Sequence, residues 1–589
     1  MVGLGRCPAG GASEAEVLLV RLLSAQIPSG DGVLWGFTDL RATFPAPRPD
    51  PGMRWIWMQF NKWMMQRFFA AASAFPAVVS SEAVLGDFPS AVWWAPVIQC
   101  LGSFSSGAPS KSNAKIKRQL PPGPWTLPII GSLHHVASIL PHRRMMELSR
   151  RHGPLMHLML GEVPTVIVSS AEAASLVMKT NDLAFSGRPH SATLDIFGCG
   201  GRGIVFAPYG DPWRQMRKVC VMELLSAKQV RRMDGIRPEQ VGILLRSIAA
   251  ASSAVNVSDM VMALSNDVVS RAVFGGKFPQ QEEYLRNLDE AFVLLGGFCL
   301  VDLFPSSRLV RWLSSGERGM KRSYGHVQRI NTDVIERRKA ARAAGVCSRA
   351  DDEDLLDVLL RLQEEDAFTF PLTTESIGAV LFDIFAGATQ TTGVALEWAM
   401  SELVRHPKAM AKAQLEIRNV LGKDRGVITN NDLHGLPYMR MVTKEVLRLH
   451  PPGPLIPRRA REDRKVMGFD MLEGTNVYIN AFAVSRDPKC WKCPEEFMPE
   501  RFENNSMDYN GTYFEFTPFG AGRRQCPGIF FGESTMEIAL ANLLYHFDWV
   551  LPGGESPELL DMTEKYGIIV GRKYDLHLIA LPRGGFNAT

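Results

Sequence analysis

The chain has 589 residues, 46% of them hydrophobic and 21% charged, which is an ordinary globular balance. A net charge of +4 is too small to argue for a nucleic-acid partner. Nine scattered cysteines suggest no disulfide framework and fit a reducing, cytosol-facing location.

Residues 1–118 read as an atypical leader. The first 60 mix Gly, Pro, Arg and acids, without the run of roughly 20 apolar residues that a spanning helix needs. Residues 68–81 are apolar but stop at Glu82. Residues 88–110 are uncharged yet hold three prolines and many serines. They make a poor spanning or interfacial segment, with the basic cluster from Lys111 to Arg118 kept cytoplasmic; a disordered leader is the equal alternative. Pro121-Pro122-Gly123-Pro124 then forms a hinge.

From residue 119 onward the chain reads as one domain, mainly α with small β-sheets. β signals occur at 155–169, 476–480 and 566–579. Trp213 and Arg217 stand four apart on one helix face, and both carry N–H donors. A basic run (Arg337, Arg338, Lys339, Arg342) and an acidic one (Asp351 to Asp354) read as solvated helix ends and a loop. Residues 382–392 join small residues (Ala386, Gly387, Ala388) to Thr389, Gln390, Thr391 and Thr392; a mid-helix threonine hydroxyl can bond back to a carbonyl. Glu445 and Arg448 share a helix face before His450-Pro451-Pro452. Cys490 and Cys493 form a C-x-x-C with no second pair, so a zinc ribbon is not expected. Pro499-Glu500-Arg501-Phe502 follows.

The most specific segment is Phe519-Gly-Ala-Gly522-Arg-Arg524-Gln-Cys526-Pro-Gly528, a single cysteine in a Gly-punctuated loop just ahead of a helical stretch. Gly522 and Gly528 let the backbone turn where a Cβ would clash. N–H groups around Cys526 can then point at its sulfur and tune its basicity. This F-x-x-G-x-R-x-C-x-G pattern resembles the haem loop of cytochrome P450 monooxygenases, as do W-x-x-x-R at 213–217, E-x-x-R at 445–448 and P-E-R-F at 499–502. The resemblance runs from Leu120 to the end and is nearest to the large plant microsomal subfamily that oxidises terpenoids and other specialised metabolites.

That resemblance implies the cytochrome P450 fold, with haem b (iron protoporphyrin IX) between a central helix and the cysteine loop. Cys526 would ligate iron as thiolate, pushing electron density onto it. Phe519 would shield the thiolate, and Gly522 would shape the loop. Arg524, Trp213, Arg217 and Arg458 would hold the propionates. Thr391 would hold water and relay protons where oxygen is activated. Glu445, Arg448 and Arg501 would form a structural network. Arg214, Arg217, Lys218, Arg523 and Arg524 lie in segments that would receive an acidic reductase.

Four features depart from the family. Gln390 stands where an acid is usual, and an amide cannot donate a proton as a carboxylic acid does. Ala388 replaces a usual glycine. The 450–458 segment looks one residue short, which leaves open whether Arg458 or Arg459 meets a propionate. The anchor is atypical.

The expected reaction inserts one oxygen atom of O2 into a lipophilic small molecule, a terpenoid first, with electrons from NADPH–cytochrome P450 reductase at the endoplasmic reticulum membrane. No flavin or nucleotide module occurs in the chain, so electrons come from another protein. The alternatives are a catalytically impaired haem-binding paralogue and a reductase-independent rearranging enzyme. Pocket walls are expected from 194–204, 292–301, 382–390, 452–457 and 566–571, with Phe292, Val293, Leu294, Leu295, Phe298, Ile384, Phe385, Ile568, Ile569 and Val570 the apolar candidates.

Overall fold

The computed structural model describes residues 118–583 except 137–139, 297–298, 346–352, 369 and 566. The leader expected over 1–118 lies outside the described residues but for Arg118, as do Phe298 and Tyr566. The helices that frame the site are α1 (Asp211–Val219), α2 (Val257–Phe274), α3 (Gln281–Gly296), α4 (Gly316–Ala343), α5 (Thr374–Arg405), α6 (Pro437–Leu449) and α7 (Ile529–His546).

Helix α5 is the axis. It begins where the Thr373 hydroxyl accepts the Ser376 N–H at 3.2 Å, an N-cap. It is apolar nearly all round, as a core helix is. By length and composition it could cross a membrane, but most of its apolar window is buried inside the fold. Helices α2, α4, α6 and α7 pack on it. Phe385 illustrates the packing: its ring lies 4.9 Å from Tyr284 and 5.8 Å from Phe274, centroid to centroid.

The main sheet has the order β1 (Leu155–Leu160), β2 (Val163–Val168), β4 (Asn476–Asn480), β3 (Leu455–Arg459). β1 and β2 form a hairpin turning at Gly161, whose φ of 62° suits a two-residue turn. β2 pairs with β4 in parallel, and β4 with β3 antiparallel, so Arg458 faces Val477 and Arg459 faces Asn476. A smaller sheet joins Val255–Asn256, His577–Pro582 and Phe547–Val550.

Two expectations change here. The strand expected over 566–579 begins only at His577. Before it the chain is irregular, and the Val570 N–H goes to the Pro452 carbonyl at 2.9 Å rather than into a ladder. The charged runs are also more than solvated ends. Arg338 bridges Asp354 at 2.7 Å and Asp357 at 2.8 Å, and both carboxylates are buried. Burial, with Arg338 opposing it, pushes the Asp354 carboxyl up to about 6.

Glu445, Arg448 and Arg501 come together where α6 meets the 485–501 segment. Arg448 donates to both Glu445 oxygens at 2.7 and 2.9 Å, and Arg501 donates to Glu445 Oε1 at 2.9 Å. Neither Glu445 nor Arg448 is accessible to solvent. Arg448 also donates to the carbonyls of Ser485, Pro494 and Glu496, which pins the segment leading to the loop. A buried pair holds only when its remaining donors are satisfied this way.

Candidate active site

The cysteine loop is closed by the Cys526 N–H, which donates to the Phe519 carbonyl at 2.9 Å. Gly522 has a φ of 66°, and a Cβ there would sit 2.3 Å from the Met178 carbonyl oxygen. Only glycine satisfies both conditions. Asp182 receives the Arg523 N–H at 3.0 Å and its guanidinium at 2.8 Å, which fastens the loop to the 176–182 segment. Burial pushes the Cys526 thiol up, while the Gly528 N–H and the Arg217 guanidinium pull it back. Its accessible surface faces a cavity that it lines with Phe519.

That cavity has a volume of about 380 Å³. On the side of α5 it is lined by Gly387, Ala388, Thr391 and Ala395. Phe206, Phe292, Leu295, Ile384, Ile568 and Ile569 supply apolar walls. Five of the expected wall residues are therefore present: Phe292, Leu295, Ile384, Ile568 and Ile569. Phe385 is not a wall, because its face of α5 turns into the core. Val293 points out and is exposed, and Leu294 and Val570 pack outside the lining. A second cavity of about 170 Å³ adjoins the first and shares Phe206, Leu295, Leu455, Pro457 and Ile568 with it.

Arg188, Arg217 and Arg524 line the cavity at one edge, and Arg458 is buried close to them. Arg524 donates to the carbonyls of Ser186 at 3.0 Å and Ala207 at 2.6 Å. Arg217 donates to the Gln525 carbonyl, and Arg188 to Val205 at 2.8 Å and to Pro457. Arg458 donates to Ala521 at 3.1 Å, and its Nε is buried with no partner. Among the described residues none of the four forms an ion pair. Burial, then mutual repulsion, lowers Arg188 well below its ordinary range and brings Arg524 to about 9.

Arg459 instead donates to Gly474 at 3.1 Å on the far side of β3, which puts Arg458 alone in the cluster. Arg188 carries no signal in sequence: it follows Gly187 in an irregular segment and matches no periodicity. The Trp213 indole N–H, expected on a propionate, donates to the Ile204 carbonyl at 2.9 Å, since a buried donor takes a partner. Asp383, also unmarked in sequence, accepts the N–H groups of Ile204 and Val205 at 2.6 and 3.0 Å and holds that segment beside the arginines.

On α5, Thr391 donates to the Gly387 carbonyl at 2.7 Å and lines the cavity. Gln390 does not line it; its amide donates to Asp289 on α3. Of the expected docking cations, Arg214, Lys218 and Arg523 are exposed, while Arg524 is buried toward the cavity.

The donor set fits haem. A thiol opening on an apolar cavity and guanidiniums without a counter-ion, one with an orphaned donor, match a flat cofactor that carries a metal and two carboxylates.

Comparison with known proteins agrees. The cytochrome P450 family model matches residues 121–578. Desmethyl-deoxy-podophyllotoxin synthase of Sinopodophyllum hexandrum is 46% identical over 78% of this chain and 91% of its own. Ent-cassadiene hydroxylase of Oryza sativa subsp. japonica is 46% identical over 79% of this chain and 92% of its own. A zebra fish cytochrome P450 solved with progesterone superposes with a TM-score of 0.66 at 25% identity, covering 76% of this chain and all of that one. The chain belongs to the cytochrome P450 family and is a haem-dependent monooxygenase.

Proposed function

We propose that the protein hydroxylates a polycyclic terpenoid skeleton at the cytosolic face of the endoplasmic reticulum, with electrons from NADPH–cytochrome P450 reductase. The observation that carries this reading is the thiol of Cys526 opening on an apolar cavity that Thr391 also lines. Apolar walls favour a lipophilic hydrocarbon body. The likeness to ent-cassadiene hydroxylase supports a diterpene.

Bound haem supplies the oxygen chemistry, with the thiolate ligand favouring O–O cleavage. The chain's own residues do the rest. Cys526 would hold the iron as thiolate, and Phe519 would cover it. Arg188, Arg217, Arg458 and Arg524 would receive the propionates, with Trp213 supporting Arg524. Gly387 and Ala388 would leave room for the cofactor and for O2. The Thr391 hydroxyl, bonded back to Gly387, presents its lone pairs to a water in the cavity. Phe292, Ile384 and Ile569 hold the substrate and exclude bulk water.

The test begins with the carbon monoxide difference spectrum of the reduced protein, full length and lacking residues 1–118. A strongly red-shifted band in both forms is the expected result, followed by a substrate-induced shift and a hydroxylated product with ent-cassadiene and a plant reductase. Phe292→Ala should alter the product pattern. Failure of ent-cassadiene together with formation of desmethyl-deoxy-podophyllotoxin from its precursor would move the substrate reading to the chemistry of that relative.

A further inference from the structure

The residue before Thr391 is an amide, so the central helix brings no acid of its own to this end of the cavity. An acid is nonetheless present. Gln390 donates its side-chain N–H to Asp289 Oδ1 on α3, more than a hundred residues earlier in the chain. Asp289 is exposed along the side of α3 while its carboxyl turns in to Gln390. Phe292, one turn further along the same face, lines the cavity. Gln390 is half-buried and adjoins Thr391, which lines the cavity too. The Asp289–Gln390 contact therefore runs from solvent to the residues next to Thr391 and Phe292, the two that line the cavity.

We propose that Asp289 is the carboxylic acid that serves Thr391, borne on α3 instead of α5, with Gln390 as the residue that positions it. The reaction consumes one substrate C–H, one O2, two electrons and two protons, and yields an alcohol and a water. Asp289 gives its proton to water held at Thr391 and is reprotonated from solvent, so the carboxyl is unchanged over the cycle. Gln390 transfers no proton; it fixes the carboxyl. Burial raises the Asp289 carboxyl, against the pull of the Gln390 hydrogen bond and of Lys565. A raised carboxyl holds its proton closer to neutral pH, as a general acid requires. The groups facing it are the neutral Gln390 from α5 and Lys565 from the C-terminal segment, with Arg286 and Glu290 beside it on α3.

This inference rests on the monooxygenase activity and on the substrate reading above, and the experiment separates them. Four full-length, haem-loaded proteins are compared: wild type, Asp289→Asn, Gln390→Glu and the double variant. Each is driven by NADPH and a plant reductase with ent-cassadiene, from pH 5 to pH 8. Asp289→Asn should cut product per NADPH by about tenfold, divert electrons to hydrogen peroxide and change the pH profile of NADPH oxidation. The double variant, with the carboxyl moved onto α5, should recover product yield to within about threefold of wild type. A merely structural contact would be restored in the double variant as well, but it would leave the pH profile of NADPH oxidation unchanged in Asp289→Asn.

A second measurement needs no turnover. In Gln390→Glu two carboxyls meet, so one has a folded pKa above its unfolded value. Its melting temperature should therefore fall, relative to wild type, as pH rises from about 4.5 to 7, and the double variant should not show this. Wild-type coupling and an unchanged pH profile in Asp289→Asn would overturn the proposal. So would a double variant that stays uncoupled with its carbon monoxide band intact, or pH-independent melting differences in Gln390→Glu. If wild type leaves ent-cassadiene untouched, the substrate reading falls, and the pH profile of NADPH oxidation still decides the role of Asp289.

Discussion

The guanidinium carbon of Arg524 lies 4.1 Å from the ring centroid of Trp213, and the two side chains share the Ile204 carbonyl as acceptor, at 3.4 and 2.9 Å. The indole thus serves the anion site at one remove. Its face holds a cation that repulsion from Arg458 and Arg217 would otherwise push away. A helix-face argument places Trp213 and Arg217 side by side, and it does not reveal this stacking on a residue more than three hundred positions later.

Arg458→Met should stabilise the cofactor-free protein and weaken its hold on haem. Replacing a buried cation that has an orphaned Nε and, among the described residues, no ion pair by an unbranched apolar chain is favourable by roughly 1 kcal/mol or more. Melting of the apoprotein should rise while haem transfer to apomyoglobin speeds up. Arg459→Met, facing Gly474, should leave haem transfer unchanged.

Cys526→Ser should fold, because the loop is held by the Phe519 carbonyl, Asp182 and Gly522 rather than by the thiol. The stability change should stay within about 1 kcal/mol. The reduced carbon monoxide complex should lose its red-shifted band, and product formation should stop.

Much of this site is legible in the amino-acid sequence. The cysteine loop, the Glu445–Arg448 pair and the small-residue stretch of α5 each announce themselves by a fixed local spacing, while Arg501 joins that pair only through the family resemblance. What escapes is set by tertiary approach. Arg188 is recruited because the 186–188 segment runs beside β3, and Asp383 because Gly203 leaves room: a Cβ there would lie 2.1 Å from its carboxylate. Asp289 meets Gln390 only when α3 crosses α5. The wall residues split for the same reason. Periodicity separates Phe385 from Ile384 only once the core face of α5 is known, and the strand expected after 566 yields to a turn lining the cavity.

Glu445→Gln should be far costlier than its conservative character suggests. It leaves Arg448 charged, wholly buried and without its counter-ion, a loss of about 3–5 kcal/mol. Urea unfolding should shift accordingly, and expressed protein should carry little haem. Glu445→Asp, which keeps the charge, should recover part of it.

Glu564 sets an acid limit on stability. Burial alone would raise its carboxyl, but hydrogen bonds from His142 at 3.0 Å and Arg143 at 2.7 and 2.8 Å override that and hold it at about 2. A depressed folded pKa contributes stability above the unfolded value of about 4.3 and loses it as pH falls toward 2, by at most about 3 kcal/mol. Glu564→Gln should lower the melting temperature at pH 7 and flatten its dependence between pH 4.5 and 2.

The bond from Asp182 to Arg523 spans 341 residues of chain. The cysteine loop takes its shape from the Met178 carbonyl and the Asp182 carboxylate, both threaded out of the ribosome long before Cys526 is made. The iron-binding end is synthesised last, and α7, which follows it directly, is needed in the core. Cofactor loading is therefore a post-translational event for this chain: nascent forms that stop short of residue 546 can have their arginines in place and still offer iron no folded ligand.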